Sequence, residues 1–156
     1  MSAFTELVRR HEGQLRSFLR RLSGEGGADD LAQDVFIKAW RHAGSFTGDG
    51  AYVAWLMRIA WTSFVSQHRG EAARRRRETT WAKAASASAA DPDLAIDTTR
   101  ALASLQDRER AAALLCFGDG YSHGEAARIL GVPIGTLKSI VARARRELLE
   151  KLEAGA

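Results

Sequence analysis

Apolar side chains recur at helical spacing along almost the whole of this 156-residue chain. Phe4, Leu7, Val8, Leu15, Phe18, Leu19 and Leu22 fall at intervals that predict an amphipathic helix ending before the glycine-rich "SGEGGAD". A second helix is expected to start near Asp29, whose carboxylate is suited to cap it, and to run through "DLAQDVFIKAWRHA" to Gly44. On it Leu31, Val35, Ala39 and His42 share one face, with Phe36 and Trp40 on a neighbouring one. After the polar loop "SFTGDG" a third helix, "AYVAWLMRIAWTSFVSQHR", continues into "GEAARRRRE". No stretch alternates apolar and polar residues between turn pairs, so no strand is predicted.

From 79 to 97 the chain turns to alanine and serine around the Asp91-Pro92 breaker and offers few large apolar residues, as a linker between two small helical domains does. Beyond it, "TTRALASLQDRERAAALLCFGDG" predicts two helices separated near Gln106 and Asp107. Ser122 and Glu125 then form a capping box, Gly131 is suited to the left-handed turn that ends the short helix, and Pro133 leads into another. Two helices joined in this way make a helix-turn-helix.

In the last helix Ile134, Leu137, Val141, Ala144 and Leu148 are spaced to face a core. The opposite face presents Thr136, Lys138, Ser139, Ala142, Arg143 and Arg146. These are donors for phosphates and base edges, and Ala142 is small enough to let a duplex approach. The same pattern also fits a structural helix pair whose charged outside only keeps it in solution.

Composition narrows the classes. With 46% hydrophobic and 27% charged residues the chain is no disordered polymer, and a formal charge of +4 favours a polyanionic partner. Its arginines cluster at 74–77 and again at Arg143, Arg145 and Arg146, each time beside an expected helix. The single cysteine, Cys116 in "AAALLCF", permits no disulfide framework and reads as a core residue. No metal-ligand cluster or phosphate-cradling glycine loop is found, and His11, His42, His68 and His123 have no evident triad partners, so neither an enzyme nor a cofactor is expected. The N-terminus lacks an apolar signal-peptide core and no run reaches the ~18 apolar residues of a membrane span, so the expected location is cytoplasmic without membrane insertion.

The segment "DDLAQDVFIKAWRHAGSFTGDGAYVAWLMRIA" resembles region 2, and "YSHGEAARILGVPIGTLKSIVARAR" resembles region 4, of the extracytoplasmic-function (ECF) sigma factors of bacterial RNA polymerase. The likeness spans nearly the whole chain. It implies an all-α protein: a region-2-like helical bundle at 1–78, a flexible linker at 79–97, and a region-4-like helix-turn-helix domain at 98–156. Such a protein is a transcription initiation factor that binds RNA polymerase core and directs it to promoter DNA. The resemblance places Asp30, Gln33, Asp34, Phe36 and Trp40 on the helix that binds the clamp helices of the largest subunit, and makes the polymerase flap a further contact. It assigns Phe46, Arg58, Trp61, Thr62 and Ser63 to the −10 element, with Arg74 and Arg75 on the phosphate backbone. Thr136, Lys138, Ser139, Ala142, Arg143 and Arg146 become the −35 face. An anti-sigma factor is implied as regulator, and the unbound protein is expected to be a monomer.

Residue chemistry alone leaves Phe36 and Trp40 equally readable as core, and Trp55 and Trp61 are more often core residues than stacking platforms. Three positions depart from the family pattern: Ile140 stands where an arginine is usual, Gln106 where a proline is usual, and Thr62 in place of a common asparagine. The missing arginine implies altered −35 affinity or holoenzyme docking. Two other functions fit parts of the sequence: a sigma-like decoy that binds an anti-sigma protein, which Ile140 favours, and an ordinary helix-turn-helix regulator.

Overall fold

A computed structural model describes residues 2–24, 26–46, 52–77 and 94–155, and every regular element among them is helical. Helix α1 (Ala3–Ser23) starts at Ser2, whose hydroxyl accepts the Thr5 N–H at 3.2 Å. Helix α2 (Ala28–Arg41) starts one residue earlier than expected. Its cap is Gly27, at φ 85°, a left-handed conformation that suits glycine and supplies no side-chain acceptor. Asp29 lies inside the first turn, where its carboxylate takes the Arg16 guanidinium of α1 at 2.8 Å.

The chain leaves α2 after Arg41 and makes a 3-10 turn at Ala43–Ser45. His42 is therefore an exposed C-cap and does not join the core face with Val35 and Ala39.

Helix α3 (Tyr52–Arg77) packs against α1, α2 and α6. Its buried residues, Leu56, Met57, Ala60, Trp61, Ser63 and Phe64, form a stripe wider than a single contact needs, because neighbours from both halves of the chain cover it. Helix α4 (Leu94–Ala103) begins within the stretch expected to be linker; 78–93 lies outside the described residues. Helix α5 (Asp107–Ala113) opens after Gln106, as the sequence predicts, and passes into a π-helical turn at Leu114–Gly118. Cys116 sits in that turn, half-buried, and burial pushes its thiol pKa up. Helices α6 (His123–Leu130) and α7 (Ile134–Ala154) follow.

One continuous core joins the two halves: Leu19, Val35, Met57 and Phe64 belong to the same cluster as Leu115, Ile129 and Leu137. Each such side chain contributes about 1.5–3 kcal/mol on burial. Leu137, Val141 and Ala144 face inward as their spacing predicts and Leu148 is half-buried. Ile134 departs from that expectation: as the first residue of α7 it precedes the packed stretch and is 50% exposed.

Candidate nucleic-acid and partner interfaces

The helix-turn-helix is assembled by local chemistry. Ser122 accepts the Glu125 N–H at 3.1 Å and its hydroxyl donates to the Glu125 carboxylate at 3.1 Å, which starts α6. At the other end Gly131 adopts φ 66°, ψ 38°, and the Val132 N–H reaches back to the Ala127 carbonyl at 3.0 Å. Pro133, extended at φ −61°, ψ 149°, then opens α7.

Thr136, Lys138, Ser139, Ala142, Arg143 and Arg146 are all exposed on α7, so the structure brings the whole candidate −35 face together. Two of its members have internal partners. Ser139 donates to the Gly135 carbonyl at 3.2 Å, and Arg143 lies 3.5 Å from Glu109, a side chain buried to 4% exposure. Ile140 is half-buried and packs against the core, so apolar packing accounts for this departure. Phe117 and Leu149, each about half exposed, line a groove beside Lys138, Ala142 and Arg146. Sequence reasoning missed both: Phe117 lies outside α7, and Leu149 continues the Lys138, Ala142 and Arg146 stripe as an apolar residue among polar ones.

On α2, Asp30, Gln33, Asp34 and Trp40 are exposed and Phe36 is half-buried. Trp40 is 60% exposed and meets Phe4 edge-on at 4.9 Å. Ile37, 51% exposed, adds apolar area to this face and was also missed. Asp34 is paired with Lys38 at 2.9 Å, and Lys38 donates to Ser63 at 3.0 Å.

The candidate −10 set is divided. Thr62 and Arg74 are exposed. Phe46 is half-buried in an aromatic group with Tyr52 and Trp55, at centroid distances of 5.5 and 5.7 Å. Trp61 and Ser63, at 7% and 3% exposure, are covered in this arrangement and present no surface to a base. Arg58 points at the second half, where it donates to the carbonyls of Arg128 at 2.9 Å and Ile129 at 3.4 Å. The Arg75 side chain and loop residues 47–50 lie outside the described residues.

Among the described residues no helix is long and apolar enough to cross a membrane. None of their histidine, cysteine, aspartate or glutamate side chains group in a way that would hold a metal.

Family models carry the architecture further. Sigma-70 region 2 matches residues 7–76 and Sigma-70 region 4 matches 96–148, in that order. Fold and matches together define a sigma-70-type initiation factor built on these two regions. The ECF RNA polymerase sigma factor SigM of Mycobacterium tuberculosis is 38% identical over 151 residues, covering 96% of this chain and 77% of the relative. The ECF RNA polymerase sigma-E factor of Escherichia coli is 31% identical over 166 residues, covering 97% and 87%. Among solved structures, the sigma factor RpoE of Bartonella quintana, in complex with the anti-sigma factor NepR, matches with a TM-score of 0.85 at 33% identity over 98% of both chains. CnrH, in complex with the cytosolic domain of CnrY, matches at 0.71 and 27% identity, covering 99% of this chain and 90% of that one. The chain belongs to the ECF sigma factors of RNA polymerase, which are initiation factors and not enzymes.

Proposed function

We propose that this sigma factor works in the cytoplasm, binds RNA polymerase core through the exposed face of α2, and directs it to promoters with a −10 and a −35 element. The observation that carries the reading is the unbroken exposed face of α7, where Thr136, Lys138, Ser139, Ala142, Arg143 and Arg146 stand directly after the glycine turn. These six are basic, hydroxyl or small residues, the chemistry of phosphate and base-edge contact in a major groove. Ile37 and Trp40, beside Asp30, Gln33 and Asp34, suit a protein contact: apolar area for affinity, rimmed by charge for register. Thr62 and Arg74 are the exposed candidates for the −10 strand, and Arg58 joins them once its contact with α6 is broken. An anti-sigma factor is the regulator this reading implies, as in the RpoE and CnrH complexes.

The decoy reading drew on Ile140, and Lys138, Arg143 and the arginines at 74–77 argue against it. In vitro transcription with core polymerase over a randomised promoter library tests the proposal. The expected result is a selected pair of spaced elements; initiation from none of the library members overturns it.

A further inference from the structure

Helix α7 carries two adjacent seams. Leu137, Val141, Ala144 and Leu148 recur at spacings of four, three and four, and the chain's own helices α4, α5 and α6 pack on this side. One residue on, Lys138, Ala142, Arg145, Leu149 and Leu152 repeat the same spacing, yet all five are exposed, Leu149 to 50% and Leu152 to 39%. A repeat of this kind is what a helix presents to another helix. Phe117, from the turn before α6, adds a half-exposed ring and with Leu149 lines a groove of about 540 Å³ beside the seam. Phosphate and base-edge contact needs no leucine, so the apolar end of this seam calls for a different partner.

Charge selects that partner. From Ile134 to Arg146 the helix holds Lys138, Arg143, Arg145 and Arg146 and no acid; from Glu147 to Ala154 it holds Glu147, Glu150 and Glu153 against Lys151. Lys138, Arg145, Arg146, Glu150 and Glu153 have no ion-pair partner among the described residues. The seam is basic before Leu149 and acidic after it, and its complement is the same seam reversed.

We propose that this face binds a second copy of the chain, the two α7 helices running antiparallel about a two-fold axis at Leu149. A two-fold pair requires a patch that complements itself. With Leu149 against its counterpart, Arg145 and Arg146 of one protomer come level with Leu152 and Glu153 of the other, guanidinium beside carboxylate and aliphatic stem over leucine. A parallel pair would set arginine against arginine. The patch is small for a protein interface, so the dimer is weak and forms with rising concentration. It departs from the monomer that the family resemblance implies. Arg146 belongs to both the groove and the proposed −35 face, so pairing occupies it and puts a protomer where a duplex would approach Ala142. This competition rests on the −35 reading above; the pairing itself does not.

Two experiments on the full chain decide this. Sedimentation velocity from low to high micromolar protein should show a monomer passing into a dimer. Leu149→Ser and Glu153→Arg should each move that transition to at least tenfold higher concentration, and adding Arg145→Glu and Arg146→Glu to Glu153→Arg should bring it back. A parent that stays monomeric leaves the groove to polymerase or another protein and overturns the inference, as does a dimer that both single substitutions leave intact.

In the second, protomers carrying Leu149→Cys in a Cys116→Ser background should cross-link to each other under mild oxidation. Those carrying Glu153→Cys should not, because antiparallel pairing sets that position about 12 Å from its counterpart along the helix axis; equal cross-linking overturns the antiparallel arrangement. The cross-linked Leu149→Cys protein should initiate more than tenfold less than the same protein reduced, and undiminished initiation overturns the competition with promoter DNA. If the reduced protein initiates nowhere, the −35 reading fails while sedimentation still decides the pairing.

Discussion

Arg143, on the exposed face of α7, is tied from behind to Glu109 of α5: its guanidinium lies 3.5 Å from Oε1 of a carboxylate that is otherwise buried. The other oxygen, Oε2, has no hydrogen-bond partner among the described residues. The arginine thus serves α5 and the proposed −35 face together, and the two roles separate by substitution. Arg143→Ala strands a buried carboxylate and should cost about 1–3 kcal/mol of folding stability, whereas Lys138→Ala should cost less than about 0.5 kcal/mol. Both should weaken promoter recognition and leave core binding intact. Urea denaturation of the two variants, with Glu109→Gln in a double-mutant cycle, checks the assignment; equal stability losses would dissociate Arg143 from Glu109.

Gly131 is held at φ 66°, and a Cβ built there would lie 2.8 Å from Nη1 of Arg58. Gly131→Ala should therefore cost about 1–2 kcal/mol for the left-handed backbone and also push Arg58 off the Arg128 carbonyl. Because the guanidinium is the end of a flexible side chain, it can move aside without unfolding the turn. Thermal denaturation should show Gly131→Ala losing more than Gly131→Asn, since asparagine tolerates this conformation better.

Ile37 and Trp40 stand half to mostly exposed on α2. Ile37→Ala should leave stability within about 0.5 kcal/mol, and Trp40→Ala should lose only about 0.5–1.5 kcal/mol through its edge contact with Phe4. If this face is the polymerase contact, Trp40→Ala should weaken core binding by 2 kcal/mol or more, roughly thirtyfold. Fluorescence titration with core polymerase measures it, and unchanged affinity in both variants would move the contact elsewhere.

His11, packed 5.7 Å from the Tyr52 ring, has its pKa lowered by burial and, secondarily, by the neighbouring Arg10 charge. A folded-state pKa below the unfolded one means that the unfolded chain binds the proton more readily. Stability should therefore be level above neutrality and fall as pH drops below about 6.5 and on through the lowered folded-state value. Urea denaturation between pH 8 and pH 5.5 should show that slope, reduced in His11→Gln; an unchanged slope would assign it to another group.

The helices that the residue pattern predicts are those whose signals are local. Ser122 with Glu125, Gly131 before Pro133, and the three-and-four spacing of Leu137, Val141 and Ala144 act within a few residues of themselves, and all appear as expected. The start of α2 was misplaced because Asp29 had two possible partners, the backbone of its own helix and Arg16 on α1, and the second prevailed. His42 and Ile134 matched their helical stripes but sit at helix ends, where periodicity continues and packing stops.

The −10 candidates show where linear reading ends. Trp61, Ser63 and Arg58 share one helix and one resemblance, yet Trp61 and Ser63 are buried and Arg58 is bound to carbonyls some 70 residues away in sequence. Periodicity states how many faces of α3 are apolar, but not which helix arrives to cover them. Backbone carbonyls have no side-chain signature, so no sequence pattern marks the end of α6 as a partner for an arginine. Helix order, the glycine turn and the exposed polar face of α7 were thus written in short-range spacing, and the sigma-factor class in the resemblance of two segments to regions 2 and 4. The union of the two halves into one core, the occupation of Arg58 and the burial of Trp61 were settled only by packing between residues far apart in the chain.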